Sequence, residues 1–491
     1  MPPAIGLSLT SNEPNADQTS TSSKFLDADI DRSNSATPNL APSAASLLSM
    51  PCRDINQLKS TAVLLVEHAA FSAQERSSKL LVARSKDGFL EKSTAEMFHE
   101  VEETVKNFVD LLDNLISSIA SGSLSIGPIS PTPPQIGRSP LLSTLQNETT
   151  KFITRFHEMK RQKLGNILDS EQWRSSEVPR LFQKMMDEFE KTGKLRDKMM
   201  DEFEKTGKLR DVISRAESVA GSEPPSSPLQ TNGTKSFEPI QVVDYLIVDG
   251  EKYYVVSTSL LLLRMMAQYC DLLELFPQCV SELLLHIVEL LKNFNSRTCQ
   301  LILGAGALQL VGLKTISVKN LALASRCLQL ISRFIPVVRS DFEEFLPPER
   351  KNQLRYFDQT LRDYQDHINE INNKLVSVLD YHLVNGLSEW EINGQIPSPA
   401  FQQIVRQIGK FYNGFTNVMS PKITNEMILR IHESFKSHLK QVLQTRSITP
   451  YDPLTYGLVS QDFAYYMENM KTLPYCQEFP NDTLSDVLNA D

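Results

Sequence analysis

Apolar residues recur along most of this chain at steps of three and four, the spacing that lays them on one face of an α-helix. The densest run lies between Asn295 and Pro336. From Ser317 onward, Leu321, Ala324, Leu328, Ile331 and Ile335 share a face and predict a core helix. Just upstream, Gly304, Ala305, Gly306 and Ala307 are small enough to let another helix or a backbone approach closely. Val280, Leu283, Leu284, Ile287, Leu290, Leu291 and Phe294 predict a second core helix. After Pro347-Pro348, Leu354, Phe357, Leu361, Tyr364, Ile368, Ile371, Leu375 and Val378 alternate steps of three and four, a heptad seam within residues 350–384. Packing inside its own domain is favoured for that seam over an intermolecular coiled coil. A helix opening at Ser398-Pro399 is expected to bury Phe401, Ile404, Val405, Ile408, Phe411, Tyr412 and Phe415. Another, from about Thr424, presents Met427, Ile431 and Phe435, and beyond Ser447 the periodicity weakens.

The first half follows the same grammar. Leu58, Ala62, Leu65, Ala69 and Ala73 form one stripe, and Met97, Val101, Val105, Phe108, Leu112, Leu115 and Ile119 a longer one. A third helix is expected to start at Ser139 as N-cap with Pro140 in its first position, carrying Leu142, Leu145, Phe152 and Phe156. One element breaks the helical pattern. DYLIV and EKYYVV flank Asp249-Gly250, a strong hairpin signal, and a lone hairpin needs helices to pack on.

These patterns divide the chain. Residues 1–51 are rich in Ser, Thr, Asn, Pro and Asp and bury too little apolar surface to offset ordering, so they are expected to be disordered. Residues 52–215 form a helical middle region, 216–238 a linker, 239–446 a C-terminal helical domain and 447–491 a tail. The fold class is all-α, with one β-hairpin at the start of the C-terminal bundle. Within the middle region KMMDEFEKTGKLRD occurs at Lys184–Asp197 and again, identical, at Lys198–Asp211. Gly193 and Gly207 speak against one continuous helix through both copies, and two copies are too few for a solenoid.

Candidate chemistry is sparse. The net charge of −9 over 491 residues argues against nucleic acid as the main partner. The Lys160, Arg161 and Lys163 cluster reads as a solvated helix face. Six cysteines show no CxxC spacing and sit mostly in apolar runs, and the start of the chain has no signal-peptide pattern, which together suggest a reducing, cytosolic compartment. No apolar run is expected to reach the 18 to 20 residues of a membrane span. The eight histidines show no metal-ligand spacing, and His286 is expected to be a satisfied core residue. Gly304-Ala305-Gly306 lacks the spacing of a phosphate loop, and there is no GxSxG elbow. The expectation is therefore no catalytic residue, no cofactor and no metal. Arg297, Lys314 and Lys319, near helix junctions, are candidates for partner recognition.

The chain also resembles a known family. The likeness is carried by CRDINQLKSTAVLLVEHAAFSAQERSSKLLVARSKDGFLEK from Cys52, MAQYCDLLELFP from Met266, the 295–336 run and LRYFDQTLRDYQDHINEINNKLVSVLD from Leu354. Over roughly residues 52 to 475 it resembles the C-terminal half of the vacuolar protein sorting-associated protein 54 family, a subunit of the Golgi-associated retrograde protein (GARP) tethering complex. The resemblance implies the helical-bundle rod of multisubunit tethers. It also implies a non-catalytic subunit that captures endosome-derived vesicles at the trans-Golgi network in retrograde transport. Expected partners are the other GARP subunits, SNAREs, and endosomal or Golgi membrane surfaces held peripherally from the cytoplasm. The alternative is a soluble α-helical scaffold, or a truncated product lacking the assembly and SNARE-binding half. Because no large apolar patch is legible and the heptad seam is used internally, this chain alone is expected to co-purify weakly with the other subunits.

Overall fold

The computed structural model describes residues 52–88, 92–121, 139–197, 242–304, 316–392, 394–475 and 479–489. The 1–51 segment, the 216–238 linker, the second fourteen-residue copy, Ala305–Ala307 and Lys314 lie outside them. The chain divides into two compact units, 1–65 and 66–491. The first is described only through the start of α1 (Cys52–Lys86).

The described residues of the second unit are mostly helical. α2 (Ala95–Ser121), α3 (Pro140–Asp169) and α4 (Arg180–Thr192) precede the hairpin. α5 (Ser257–Leu275), α6 (Val280–Leu303), α7 (Val318–Phe345) and α8 (Arg355–Ser388) follow it. α9 (Pro399–Phe415), α10 (Pro421–Thr445), α11 (Pro453–Lys471) and α12 (Leu484–Asn489) complete the order. β3 (Leu246–Val248) pairs antiparallel with β4 (Glu251–Tyr253) across Asp249-Gly250, as the sequence predicts. Both turn residues have positive φ, 51° and 76°, the backbone a tight primed turn requires. A second pairing was not expected: β1 (Val178–Pro179) lies antiparallel to β2 (Val242–Val243). Two-residue strands are too short to leave a periodicity.

α7 is the axis of the bundle and packs against α5, α6, α8 and α9. Ser317 caps it in a reciprocal box: its Oγ accepts from the Asn320 amide while Asn320 Oδ1 accepts from the Ser317 N–H. Leu321, Leu328, Ile331 and Ile335 are buried, as is Ala324. By length and composition alone α7 is apolar enough to cross a membrane, contrary to the sequence expectation; 72% of its most apolar window is buried inside the protein, so it is the core helix. Pro336 sits inside it without ending it.

α8 confirms the seam's internal use, packing on α6, α7, α9 and α10. A 3-10 stretch, Pro348–Leu354, leads into it. Phe357, Tyr364, Ile371 and Leu375 are buried, but towards the C-terminus the buried line passes to Val376, Leu379 and Leu383 while Val378 is half-buried. A helix of 3.6 residues per turn drifts off a strict heptad, so the inward face rotates. Tyr364 donates its hydroxyl to the Leu291 carbonyl at 2.8 Å, tying α8 to α6. At Gly386 a Cβ would stand 2.7 Å from Ile404 Cγ1, which shows how closely α8 and α9 approach.

The weakly patterned segment after Ser447 is helical and packed. α11 buries Val459, Phe463, Tyr466, Met467 and Met470 against α9, and α12 lies on α10 and α11. Its apolar residues cover more than one side of the helix, which blurs the stripe a sequence reading looks for.

Two expected stripes in the first half are displaced. In α2 the buried line is Phe98, Glu102 and Val109, so Met97 and Leu115 face outward. In α1, Ala70, Gln74 and Ser78 are buried, whereas Leu58 and Leu65 are exposed. α3 starts as predicted, with Ser139 Oγ accepting from the Leu142 amide. Its first turn forms a small core of Leu141, Leu142 and Leu145 with Val109, packed by Leu81, Val105 and Phe108.

Candidate functional site

The side of α1 and α2 that packs mixes apolar with polar residues: Ala70, Phe98 and Val109 are buried beside Gln74, Ser78 and Glu102. Gln74 Oε1 accepts from Ser139 Oγ at 2.7 Å, and Glu148 accepts from Ser85 Oγ at 2.6 Å and Lys151 Nζ at 2.8 Å. Glu102, almost fully buried, takes the Lys106 ammonium at 3.1 Å and a hydrogen bond from Gln278 Nε2 at 2.6 Å. Some of the large apolar positions stay on the outside. Met97, Leu111 and Leu115 of α2 are 49%, 62% and 48% exposed, and share a face by their spacing of fourteen and four. On α1, Leu58, Leu64, Leu65, Phe71 and Leu80 are all more than half exposed. The three on α2 repeat on one helix face rather than standing singly, the character of a contact surface.

The predicted cationic candidates fare differently. Arg297 Nε donates to Asp169 Oδ1 at 2.7 Å, and its Nη1 to Gln300 Oε1, so it fastens α6 to the end of α3. Lys319 is exposed in the first turn of α7. In the Lys160 cluster, Lys160 Nζ donates to Gln268 Oε1 at 2.6 Å over the Phe156 ring, and Arg161 pairs with Glu158. That cluster is thus partly an inter-helix fastening.

Among the described residues, three groupings of titratable side chains bear on function. Between α3 and α6, the His157 and His286 rings stack in parallel, centroids 4.1 Å apart. His157 Nδ1 meets the Tyr269 hydroxyl at 2.8 Å and its Nε2 meets Glu289 at 3.2 Å. His286 is not the satisfied core residue expected: it is half-buried and its buried Nδ1 has no hydrogen-bond partner. Burial, reinforced by the neighbouring imidazole, lowers its pKa to about 4. The second place joins α10 to the segment before α12. His432, Glu433 and Asp482 bring ligand atoms within 4.8 Å of one another, a grouping that their separation in sequence hides. Lys436 Nζ already stands 2.6 Å from Asp482 and 2.8 Å from Glu433, so the positive charge those carboxylates need comes from the protein. His432 Nδ1 meets the Tyr466 hydroxyl and its Nε2 meets Asp482; burial holds the imidazole below its ordinary pKa against the pull of Asp482. This is a fastening of the chain end.

The third place surrounds Asp197, which is fully buried. Its carboxylate accepts from Arg264 Nε at 3.0 Å and Gln268 Nε2 at 2.8 Å, and its amide donates to Asp271 at 2.8 Å. The preceding Arg196 donates to Asp341 at 2.6 Å and Glu274 at 2.9 Å. Burial also pushes the Cys279, Cys299 and Cys327 thiols up to about 12, so they stay protonated and unreactive near neutral pH.

Comparison with known proteins agrees with the residue-level likeness. The sequence profile of a family described as Vps54-like protein matches residues 250–381. Vacuolar protein sorting-associated protein 54 of Caenorhabditis elegans is 37% identical over 447 residues, covering 91% of this chain and 40% of the relative. Its Homo sapiens counterpart is 36% identical over 420 residues, covering 86% and 38%. A solved structure titled C-terminal domain of Vps54 subunit of the GARP complex is 30% identical, with a TM-score of 0.25, covering 27% of this chain and 98% of that one. The chain spans about 40% of the length of the curated relatives it matches. On the sequence matches, and over that share of its relatives' length, the chain belongs to the Vps54 family.

Proposed function

We propose that this chain is a non-catalytic subunit of the GARP vesicle-tethering complex, acting in retrograde transport from endosomes to the trans-Golgi network. On this reading its partners are the other GARP subunits, with SNAREs and endosomal or Golgi membrane surfaces as further contacts. It works from the cytoplasm, peripheral to those membranes. The names of its relatives support the reading, and so does the character of its charged clusters, which fasten helix to helix. The observation that carries it is the apolar face that Met97, Leu111 and Leu115 leave exposed on α2. A helix of a partner subunit, laid along Met97, Leu111 and Leu115, would bury what this chain alone leaves in water. Lys319, exposed at the start of α7, is a secondary contact candidate.

Co-expression of the tagged chain with the other GARP subunits tests this. Recovery of those subunits with the intact chain, and its loss in a Leu111→Arg, Leu115→Arg double variant of unchanged thermal stability, is the expected result. Failure to recover any subunit would instead favour the scaffold or truncated-product reading.

A further inference from the structure

The fourteen residues Lys184–Asp197 fill a slot built by other parts of the fold. Met185, Met186 and Phe189 of α4 are buried, and Phe189 meets Phe334 of α7 edge-on at 5.1 Å. Glu190 Oε1 accepts from the Asp249 amide of the hairpin turn at 3.0 Å. Gly193 ends the helix at a φ of 70°, a left-handed conformation that glycine adopts at no steric cost. The chain then turns back through four residues that are all engaged. Lys194 pairs with Glu344 at 3.3 Å, Leu195 is fully buried, and Arg196 and Asp197 make the contacts described above. Every one of these roles belongs to a residue with an identical counterpart fourteen positions on: Met199, Met200, Phe203, Glu204, Gly207, Lys208, Leu209, Arg210 and Asp211.

We infer that this slot also accepts Lys198–Asp211, so the chain carries two interchangeable ligands for one docking surface. The surface itself, made by α5, α7 and the hairpin turn, has no means of telling the copies apart. Discrimination comes from the residues ahead of the repeat. Phe182 is buried, and Gln183 both donates to the Ile247 carbonyl at 3.1 Å and accepts from its amide at 2.8 Å. Only the first copy continues directly from them, so it is the resident occupant. The second copy takes its place when the first is damaged, with the intervening fourteen residues looped out. Loop-closure entropy opposes this weakly, because it grows only with the logarithm of loop length.

The test compares Phe189→Asp in the full chain and in a chain lacking residues 198–211. The melting temperature is expected to fall at least twice as far in the shortened chain, and Phe203→Asp alone is expected to leave it unchanged. The Phe189→Asp substitution also makes the two copies distinguishable by mass. Hydrogen exchange in that variant is expected to show protection over Met199–Asp211. Equal loss of stability with and without the second copy, loss of folding in both chains, or fast exchange across Met199–Asp211 overturns the inference. Leu195→Ala, a milder lesion in the same copy, is scored in the same way.

Discussion

The bundle of α5 to α10 and helix α2 both carry legible apolar stripes, yet they differ in how much of the stripe they bury. In the bundle the stripes are inside: Leu263, Leu284, Leu328 and Phe357 are fully buried. In α1 and α2 the buried positions include Gln74, Ser78 and Glu102, while Leu64, Leu65 and Leu111 stand in water. Burying a leucine contributes about 2 kcal/mol, so a half-exposed one forfeits roughly half of that. A stripe shows that a helix has a face to bury, without saying whether the partner belongs to the same chain. The polar inward contacts of α2, such as Glu102 with Lys106 and Gln278, leave Met97, Leu111 and Leu115 exposed, and the proposed partner helix would cover them.

The sharpest way to break this contrast is to place the same substitution in both regions. Leu328→Gln puts an amide with no partner at the centre of α7 and removes close-packed apolar contacts. It is expected to cost about 3 kcal/mol or more in chemical denaturation. Leu111→Gln is expected to change stability by less than about 0.5 kcal/mol. Similar losses for the two would mean that the α2 face is already covered.

Next in size is the charged seam at Asp197. Arg264→Ala leaves a fully buried carboxylate without its guanidinium, and an expected loss of about 3 kcal/mol follows from the uncompensated charge. Urea unfolding measures it, and a loss below about 1 kcal/mol would mean that the remaining donors suffice.

What the sequence made legible follows from the range of the interactions. The α7 stripe, its Ser317 cap and the Asp249-Gly250 turn are local patterns, set within a few residues, and they read correctly. The internal use of the α8 seam also followed, since its many neighbours are themselves apolar. The faces of α1 and α2 were misread because the burial of Glu102 depends on Gln278, 176 residues away, and that of Gln74 on Ser139. Long-range polar partners leave no periodic trace. The helical α11 was missed because its apolar residues cover more than one side. The His432 and Asp482 fastening was missed for a similar reason: fifty residues separate the pair, and only packing unites them.

Acid should weaken the bundle more gently. His286 titrates near 4 in the folded chain, against an ordinary value of 6.5. Between those values the unfolded chain binds more protons, so the neutral ring's contribution is complete above about pH 6.5 and is lost as pH falls towards 4. His432, also lowered by burial, acts in the same direction. A loss of about 1 kcal/mol between pH 7 and pH 5 is expected, allowing for the water that reaches a half-buried ring. His286→Phe keeps a ring against His157 and cannot titrate. It should flatten part of that dependence, and an unchanged pH profile would remove His286 from the account.

The smallest expected change in stability carries the most weight for function. Leu111→Arg with Leu115→Arg replaces two half-exposed leucines on the α2 face by long cationic chains. Their stems can lie along the helix while the guanidinium groups stay hydrated, so the fold should lose less than about 0.5 kcal/mol. A partner helix seated on this face would have to bury those charges, or leave the face. Capture of partner subunits should therefore fall at least tenfold while the thermal transition stays in place. A stripe that is merely a tolerated surface would leave capture unchanged as well as the transition. Loss of capture with a lowered transition would point to damage in the α1–α3 packing, and a matched pair at Tyr381 and Val384 of α8, also exposed, supplies the control: arginines there should leave both capture and stability unaltered.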